Sequence, residues 1–310
     1  MNTLSSRVPA GVPCGAAPLF ILPSSGDVHG ASCDAPLDLA KVRDLPALPA
    51  AVLELLRLLG DDEVDARALA AKIGLDPALT AKALRLANSP FYGVSRHITS
   101  VLDATVVLGL RAVRTVATAA SLVGSFEAPS CPGFDFPGFW RHALYSAVSA
   151  RLVASAVDAD AEVAFTAGLL HDIGHLVLAS GFPDRFSQVL ALRAGHESEL
   201  EQQDAERVLL GLDHAAVGAC VTERWHFPKQ IVEAIAHHHA TRALGAVAEL
   251  AHIVRVGGVL AHGLEVGHPP QVPLACAELW AGLGLTREDW PRIAAETESQ
   301  AQAICAALLD

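Results

Sequence analysis

The sequence predicts an all-α protein, a two-lobed helical bundle, and three observations carry that expectation. Apolar residues make up 52% of the 310 residues while aromatics are only 5%. A core of that kind is built largely on Ala and Leu, which favour helix and close interhelical packing. Apolar positions recur at three- and four-residue spacing in one segment after another. Strand-like alternation bounded by hairpin turns is not found, and no internal repeat is evident.

Residues 1 to about 40 are rich in Pro, Gly and Ser without a sustained period, as expected of a flexible leader. From Leu48 a helical pattern begins, through Val52, Leu55, Leu56 and Leu59, and Gly60-Asp61-Asp62 ends it. A second helix near Val64 to Ile73 stops at Gly74. Asp76-Pro77 then supplies an N-cap and a first-turn proline for a third helix, PALTAKALRLANS, which Asn88-Ser89-Pro90 ends, with Phe91 and Tyr92 packing against a neighbour. Ser100 with Asp103 opens further helical segments through Phe126, with Gly109 as a joint between them. These elements make an N-terminal lobe, 41–126.

The stretch EAPSCPGFDFPGF, residues 127–139, holds three prolines and two glycines and reads as the linker between lobes. Beyond it helices are predicted near 138–157, 161–179, 183–195, 199–210, 213–226, 229–239 and 245–262. The second lobe spans 140–262, and 263–310 adds two or three helices whose attachment the sequence leaves open.

A net charge of −12 argues against general affinity for nucleic acid backbones or anionic lipid. Residues 64–89 do contain a helix-turn-helix-like hairpin with Lys72, Lys82 and Arg85, a minor DNA-binding reading. Nearby acids balance those charges, and no basic stripe emerges. Six scattered cysteines without a C-x-x-C pair suit a reducing cytoplasm. No uninterrupted apolar run reaches membrane-spanning length, so no membrane partner is expected.

The chemistry centres on LLHDIGHL, Leu169 to Leu176, read as one apolar helix carrying His171, Asp172 and, one turn on, His175. His142 sits in FWRHALYS, His214 in LDHAAVGA, and His237, His238 and His239 in EAIAHHHA. An unpartnered imidazole in an apolar helix is costly, and imidazole with carboxylate suits Zn, Fe, Mn or Ni. At any single position the plainer reading is a buried histidine satisfied by backbone or a neighbouring acid. Glu199, Glu201, Asp204 and Glu206 read as a solvated acidic helix face, Trp225 as core, and Cys220 as structural.

Taken together, His142, His171-Asp172, His214 and His238-His239 resemble the HD superfamily of metal-dependent phosphohydrolases and its HD-GYP cyclic dinucleotide branch. The stretches DPALTAKALRLANSPFYG, ITSVLDATVVLGL, LLHDIGHL and DHAAVGACVTERWHFPKQIVEAIAHHH are similar to the HDOD domain, an HD-related output domain of bacterial signalling, over about residues 41–262. That resemblance implies a cytoplasmic all-α module with an HD-like second lobe. It would work through contacts with regulatory proteins, such as those of cyclic dinucleotide or two-component pathways, without catalysis.

The resemblance also implies a metal set. One divalent ion is expected, held by His142, His171 and Asp172; a second, held by Asp172, His214 and one of His238 or His239, is equally conceivable. Two departures stand out. In IVRVGGVLA, Gly258 occupies the position of the final carboxylate, and His175 replaces the lysine of HDIGK. A GYP loop is missing after His239, which argues against cyclic dinucleotide hydrolysis. The alternative is a metal-dependent phosphohydrolase acting on a nucleotide or cyclic dinucleotide, with Asp172 and His175 as catalytic candidates and His214, His238 and His239 holding a second ion or the phosphate. The expectation is therefore a pocket one carboxylate short, which another acid in the gap would overturn.

Overall fold

The computed structural model describes Leu37, Leu48 and residues 65–193, 199–240, 248–267, 272–273 and 276–309. The helix predicted from Leu48 to Leu59 and the leader lie outside the described residues, apart from Leu37 and Leu48 themselves. Among the described residues the fold is all-α, with no strand.

The first four described helices follow the sequence signals closely. α1 (Ala66–Gly74) is capped by Asp65, and α2 (Pro77–Ala87) by Asp76, whose carboxylate accepts from the Ala78 and Leu79 amides. Ser100 caps α3 (Val101–Leu108) by accepting from Asp103 N–H, and Gly109, at φ 86°, turns the chain into α4 (Leu110–Ser125). A positive φ of that size suits glycine because it has no Cβ to clash.

After a loop come α5 (Phe136–Ala156), α6 (Ala161–Leu170), α7 (Ile173–Gly181), α8 (Pro183–Arg193), α9 (Glu199–Leu210), α10 (His214–Arg224), α11 (Lys229–His237), α12 (Ala248–Glu265), α13 (Ala277–Gly282) and α14 (Asp289–Leu308). Asp135 caps α5, so the last residues of the predicted linker are already helical. One buried apolar cluster draws on residues before and after that loop, including Leu69, Leu86, Leu122, Trp140 and Phe165. Phe91 packs 5.8 Å from Phe165, and the Arg151 guanidinium lies over both the Phe91 and Tyr92 rings. The C-terminal extension is part of the same body. α14 packs on α5 and α2, and its Ala301, Ile304 and Leu308 join the main cluster.

One predicted helix is corrected. The segment expected to be continuous over 161–179 breaks at His171-Asp172, between α6 and α7. Asp172 stands in the N-cap position of α7 yet makes no cap hydrogen bond, because its carboxylate is turned toward a ring of imidazoles instead. The stretch Ala161–Gly181 has the length and apolarity of a membrane-crossing helix, but most of it is buried inside the fold. It is a core element.

Glycines set how closely the site's helices approach. A Cβ at Gly168 on α6 would lie 2.9 Å from Ala147 Cα on α5, and one at Gly257 on α12 would lie 3.0 Å from Ala150 N. At Gly174 on α7 a Cβ would overlap the His214 carbonyl at the start of α10. These contacts bring α5, α6, α7, α10 and α12 within side-chain reach of one point.

Candidate metal centre

That point is Asp172. Its Oδ2 lies 3.4 Å from His171 Nε2 and 3.9 Å from His142 Nε2. Its Oδ1 lies 3.4 Å from His214 Nε2 and 3.5 Å from His238 Nε2. The two carboxylate oxygens thus face two separate pairs of imidazoles. Donor atoms held about 2.1 Å from one cation in a tetrahedron are roughly 3.4 Å apart, so these separations suit the edges of a coordination shell better than hydrogen bonds.

The opposite ring nitrogens explain why each Nε2 is turned inward. His171 Nδ1–H donates to the Gly168 carbonyl at 2.7 Å, and His238 Nδ1–H to the Ile235 carbonyl at 2.7 Å. His142 Nδ1–H donates to Glu265 at 3.0 Å. His214 donates twice to Glu206 Oε2, from its ring Nδ1–H at 2.7 Å and its backbone N–H at 2.8 Å. With Nδ1 carrying the proton in all four rings, Nε2 keeps its lone pair. Carbonyl or carboxylate partners behind metal-binding histidines fix tautomer and orientation in this way.

Charge states agree with that picture. Burial pushes the His171 imidazole down to about 3, so the ring is neutral at pH 7. Burial and the neighbouring imidazoles of His238 and His214 likewise hold His239 far below the usual histidine range. Asp172 would be raised by burial, but the surrounding imidazoles, His171 and His175 foremost, keep it well below the usual carboxylate range. Neutral imidazoles around an ionised carboxylate are the protonation states a metal requires. The fit has a further mark: His238 Nε2 is buried, with no hydrogen-bond partner. An unsatisfied buried acceptor of this kind costs about 1–3 kcal/mol unless something binds it.

His171, Asp172, His142, His214 and His238 therefore converge as the sequence predicts, although His238 and His239 lie just past the end of α11 rather than within a helix. His239 is placed differently. Its Nε2 is 2.8 Å from His214 Nε2, and its Nδ1 is 3.1 Å from Arg255 Nη1. His175, on α7, has Nε2 at 2.9 Å from Glu206 Oε1 and 2.7 Å from Gln202 Nε2, with Nδ1 3.7 Å from Asp172 Oδ2.

Glu206 is the principal correction to the sequence reading. It is not on a solvated face; it is fully buried and engages both His175 and His214, while Asp204 on the same helix is exposed. Burial opposes its charge, but His214 and His175 hold its carboxyl far below the usual range. Glu199 and Glu201 have side chains outside the described residues. Gly258 does face the site, since a Cβ there would lie 3.5 Å from His171 Nε2. No described acid stands at that position: Glu265, two helical turns beyond on α12, meets His142 at Nδ1, behind the ring rather than at the inward Nε2. The pocket around these groups has a volume of about 270 Å³ and is lined also by Phe134, Phe139, Phe186, Arg255 and His262.

Comparison with known proteins completes the description. A family model described as the HDOD domain matches residues 45–241. The structure is similar to that of a Shewanella amazonensis SB2B protein provisionally called a phosphohydrolase, 27% identical with a TM-score of 0.75, over 87% of this chain and 97% of that one. It is similar also to a Marinobacter aquaeolei VT8 protein provisionally called a signal transduction protein, 26% identical with a TM-score of 0.70, over 89% of this chain and 62% of that one. A curated protein of Treponema pallidum (strain Nichols) is 25% identical over 201 residues, which are 64% of this chain and 38% of that protein. The chain spans well under half the length of that relative.

Proposed function

Because the chain belongs to the HDOD domain family, we propose that it is a cytoplasmic signalling module whose histidine-rich pocket holds divalent cations. It acts through contacts with regulatory proteins, of the kind used in cyclic dinucleotide or two-component signalling, rather than by turnover. One observation carries the metal part of this reading. Four imidazoles have their Nδ1–H groups tied outward, and their Nε2 atoms meet the two oxygens of a single ionised aspartate.

His142, His171 and Asp172 Oδ2 would hold one cation, and Asp172 Oδ1, His214 and His238 a second. When bound there, such ions lower the pKa of coordinated water and polarise phosphoryl oxygens. Two features favour recognition over cleavage. Gly258 contributes no carboxylate at a position that faces His171. His175, which stands where a lysine would meet phosphoryl charge, is engaged with buried Glu206 and Gln202.

The second reading, a metal-dependent phosphohydrolase, is favoured by Glu265, an acid beside His142 on the same helix as Gly258. Metal analysis of the purified full chain, followed by an assay with bis(p-nitrophenyl) phosphate, separates the two. Bound metal without turnover is expected. Turnover that disappears in Asp172→Ala would establish the hydrolase instead.

A further inference from the structure

A second cavity, of about 190 Å³, shares no lining residue with the histidine pocket and lies where α4 meets α6 and the start of α11. Its wall carries both signs of charge. Arg114 on α4 lines it while only 3% exposed, and Arg111, one turn earlier, is exposed. The acids of the wall are Asp160 and Glu162, on α6 and its N-cap. Both oxygens of Asp160 are engaged. Its Oδ1 accepts from the Glu162 and Val163 amides at 3.1 Å, and its Oδ2 from Arg111 Nη1 at 2.9 Å. Glu162 is engaged on one side only. Its Oε1 meets Arg151 Nη2 at 3.2 Å, whereas its Oε2 is buried without a hydrogen-bond partner among the described residues. A buried carboxylate oxygen left unsatisfied is costly, so this position calls for a donor.

We infer that this cavity binds a small zwitterion bearing a carboxylate and an ammonium group, of the α-amino acid class. A carboxylate suits the Arg114 guanidinium, whose planar donors match it. It suits also the start of α11, because Pro228, which lines the cavity, gives that helix no side-chain cap. An ammonium group supplies the donor that Glu162 Oε2 calls for. Thr115 and Thr166 add to that end of the site. Their hydroxyls donate to the Arg111 and Glu162 carbonyls of their own helices, which leaves them acceptor capacity alone. Phosphate fits less well, since its charge of nearly two would face two carboxylates in the wall. The volume falls below the roughly 300–1,000 Å³ of sites for drug-sized ligands, so the occupant is small. Because α4 precedes the 127–139 loop and α6 and α11 follow it, the occupant joins helices from both sides of that loop. None of this depends on a metal being bound.

The test is calorimetric titration of the full chain, stripped of metal because amino acids chelate cations. The probes are each common L-amino acid in turn, then acetate, methylammonium and inorganic phosphate. At least one amino acid should bind with a Kd of about 1 mM or tighter and raise the melting temperature, with the other three probes at least about tenfold weaker. Gln230→Trp sets a bulky ring on an exposed lining position, and Glu162→Gln removes the charge that meets the ammonium group. Each should weaken binding at least about tenfold, with helicity by circular dichroism unchanged in Gln230→Trp. Absence of binding by every L-amino acid would overturn the inference. So would acetate or phosphate binding as tightly as the best amino acid, or wild-type affinity in folded Gln230→Trp.

Discussion

Replacing Gly258 by aspartate installs a carboxylate at the position that faces His171, and the structure sets how large the effect should be. The position is helical, and an added Cβ meets only His171 Nε2 at 3.5 Å and Cδ2 at 4.0 Å, which are ordinary contacts. Aspartate in a helix interior is also no worse than glycine. A carboxylate about 4 Å from one unit of charge gains about 4 kcal/mol at an effective dielectric of 20. A divalent ion doubles that, and removing the carboxylate from water takes back several kcal/mol. A net gain of roughly 1.5–3 kcal/mol remains, on the order of 10- to 100-fold tighter binding. Without metal the new charge faces Asp172, so Gly258→Asp should melt below wild type in chelator and rise further on metal addition. Competition against a fluorescent chelator measures the affinity. Folded Gly258→Asp protein with unchanged or weaker metal binding would refute the placement of this face of α12 against the cation.

Other perturbations address the supporting groups. Glu206→Gln keeps the shape but loses charge-assisted bonds to His214 and His175. It should cost about 1.5–3 kcal/mol of stability and about 10- to 100-fold in metal affinity; thermal melts and titrations that match wild type would dismiss its role. Gly174→Ala forces a methyl into the His214 carbonyl, which should cost about 1–3 kcal/mol or more and weaken metal binding together with it. A wild-type melting temperature would contradict the packing described. Metal-free protein should be acid-labile. His171 titrates near 3 when folded against 6.5 when unfolded, so the unfolded chain takes up the proton first. Stability is full above about pH 6.5 and falls as pH drops toward 3, by about 2 kcal/mol at pH 5. Asp172 and Glu206, both held low, contribute stability above the ordinary carboxylate range that is lost as pH falls through their lowered values. Urea unfolding at pH 7.5 and pH 5 checks the sign, and greater stability at pH 5 would contradict it.

Much of this arrangement was legible in the sequence, for local reasons. Asp76-Pro77 and Ser100 with Asp103 cap helices by short-range geometry, and they do so in the structure. The set His142, His171, Asp172, His214 and His238 was visible because each imidazole interrupts an apolar run. What local pattern could not show was the break at His171-Asp172. LLHDIGHL carries no proline, and its one cap-type residue, Asp172, makes no side-chain cap bond, because its carboxylate faces imidazoles from other helices. Glu206 was missed because the sequence sets it among three other acids, Glu199, Glu201 and Asp204. A signal was present, since it shares a helix face at i+4 spacing with Gln202 and Leu210, and all three are buried. Glu265 lies seven residues beyond Gly258 on α12, and it meets His142 at Nδ1.

The two oxygens of Asp172 are the hub of the whole arrangement, and counting bound metal tests them most directly. Elemental analysis of the full chain after loading and desalting should give two divalent ions per wild-type chain and none in Asp172→Asn, with both proteins equally helical by circular dichroism. Less than one ion in the wild type, or two retained in Asp172→Asn, would contradict the metal centre outright.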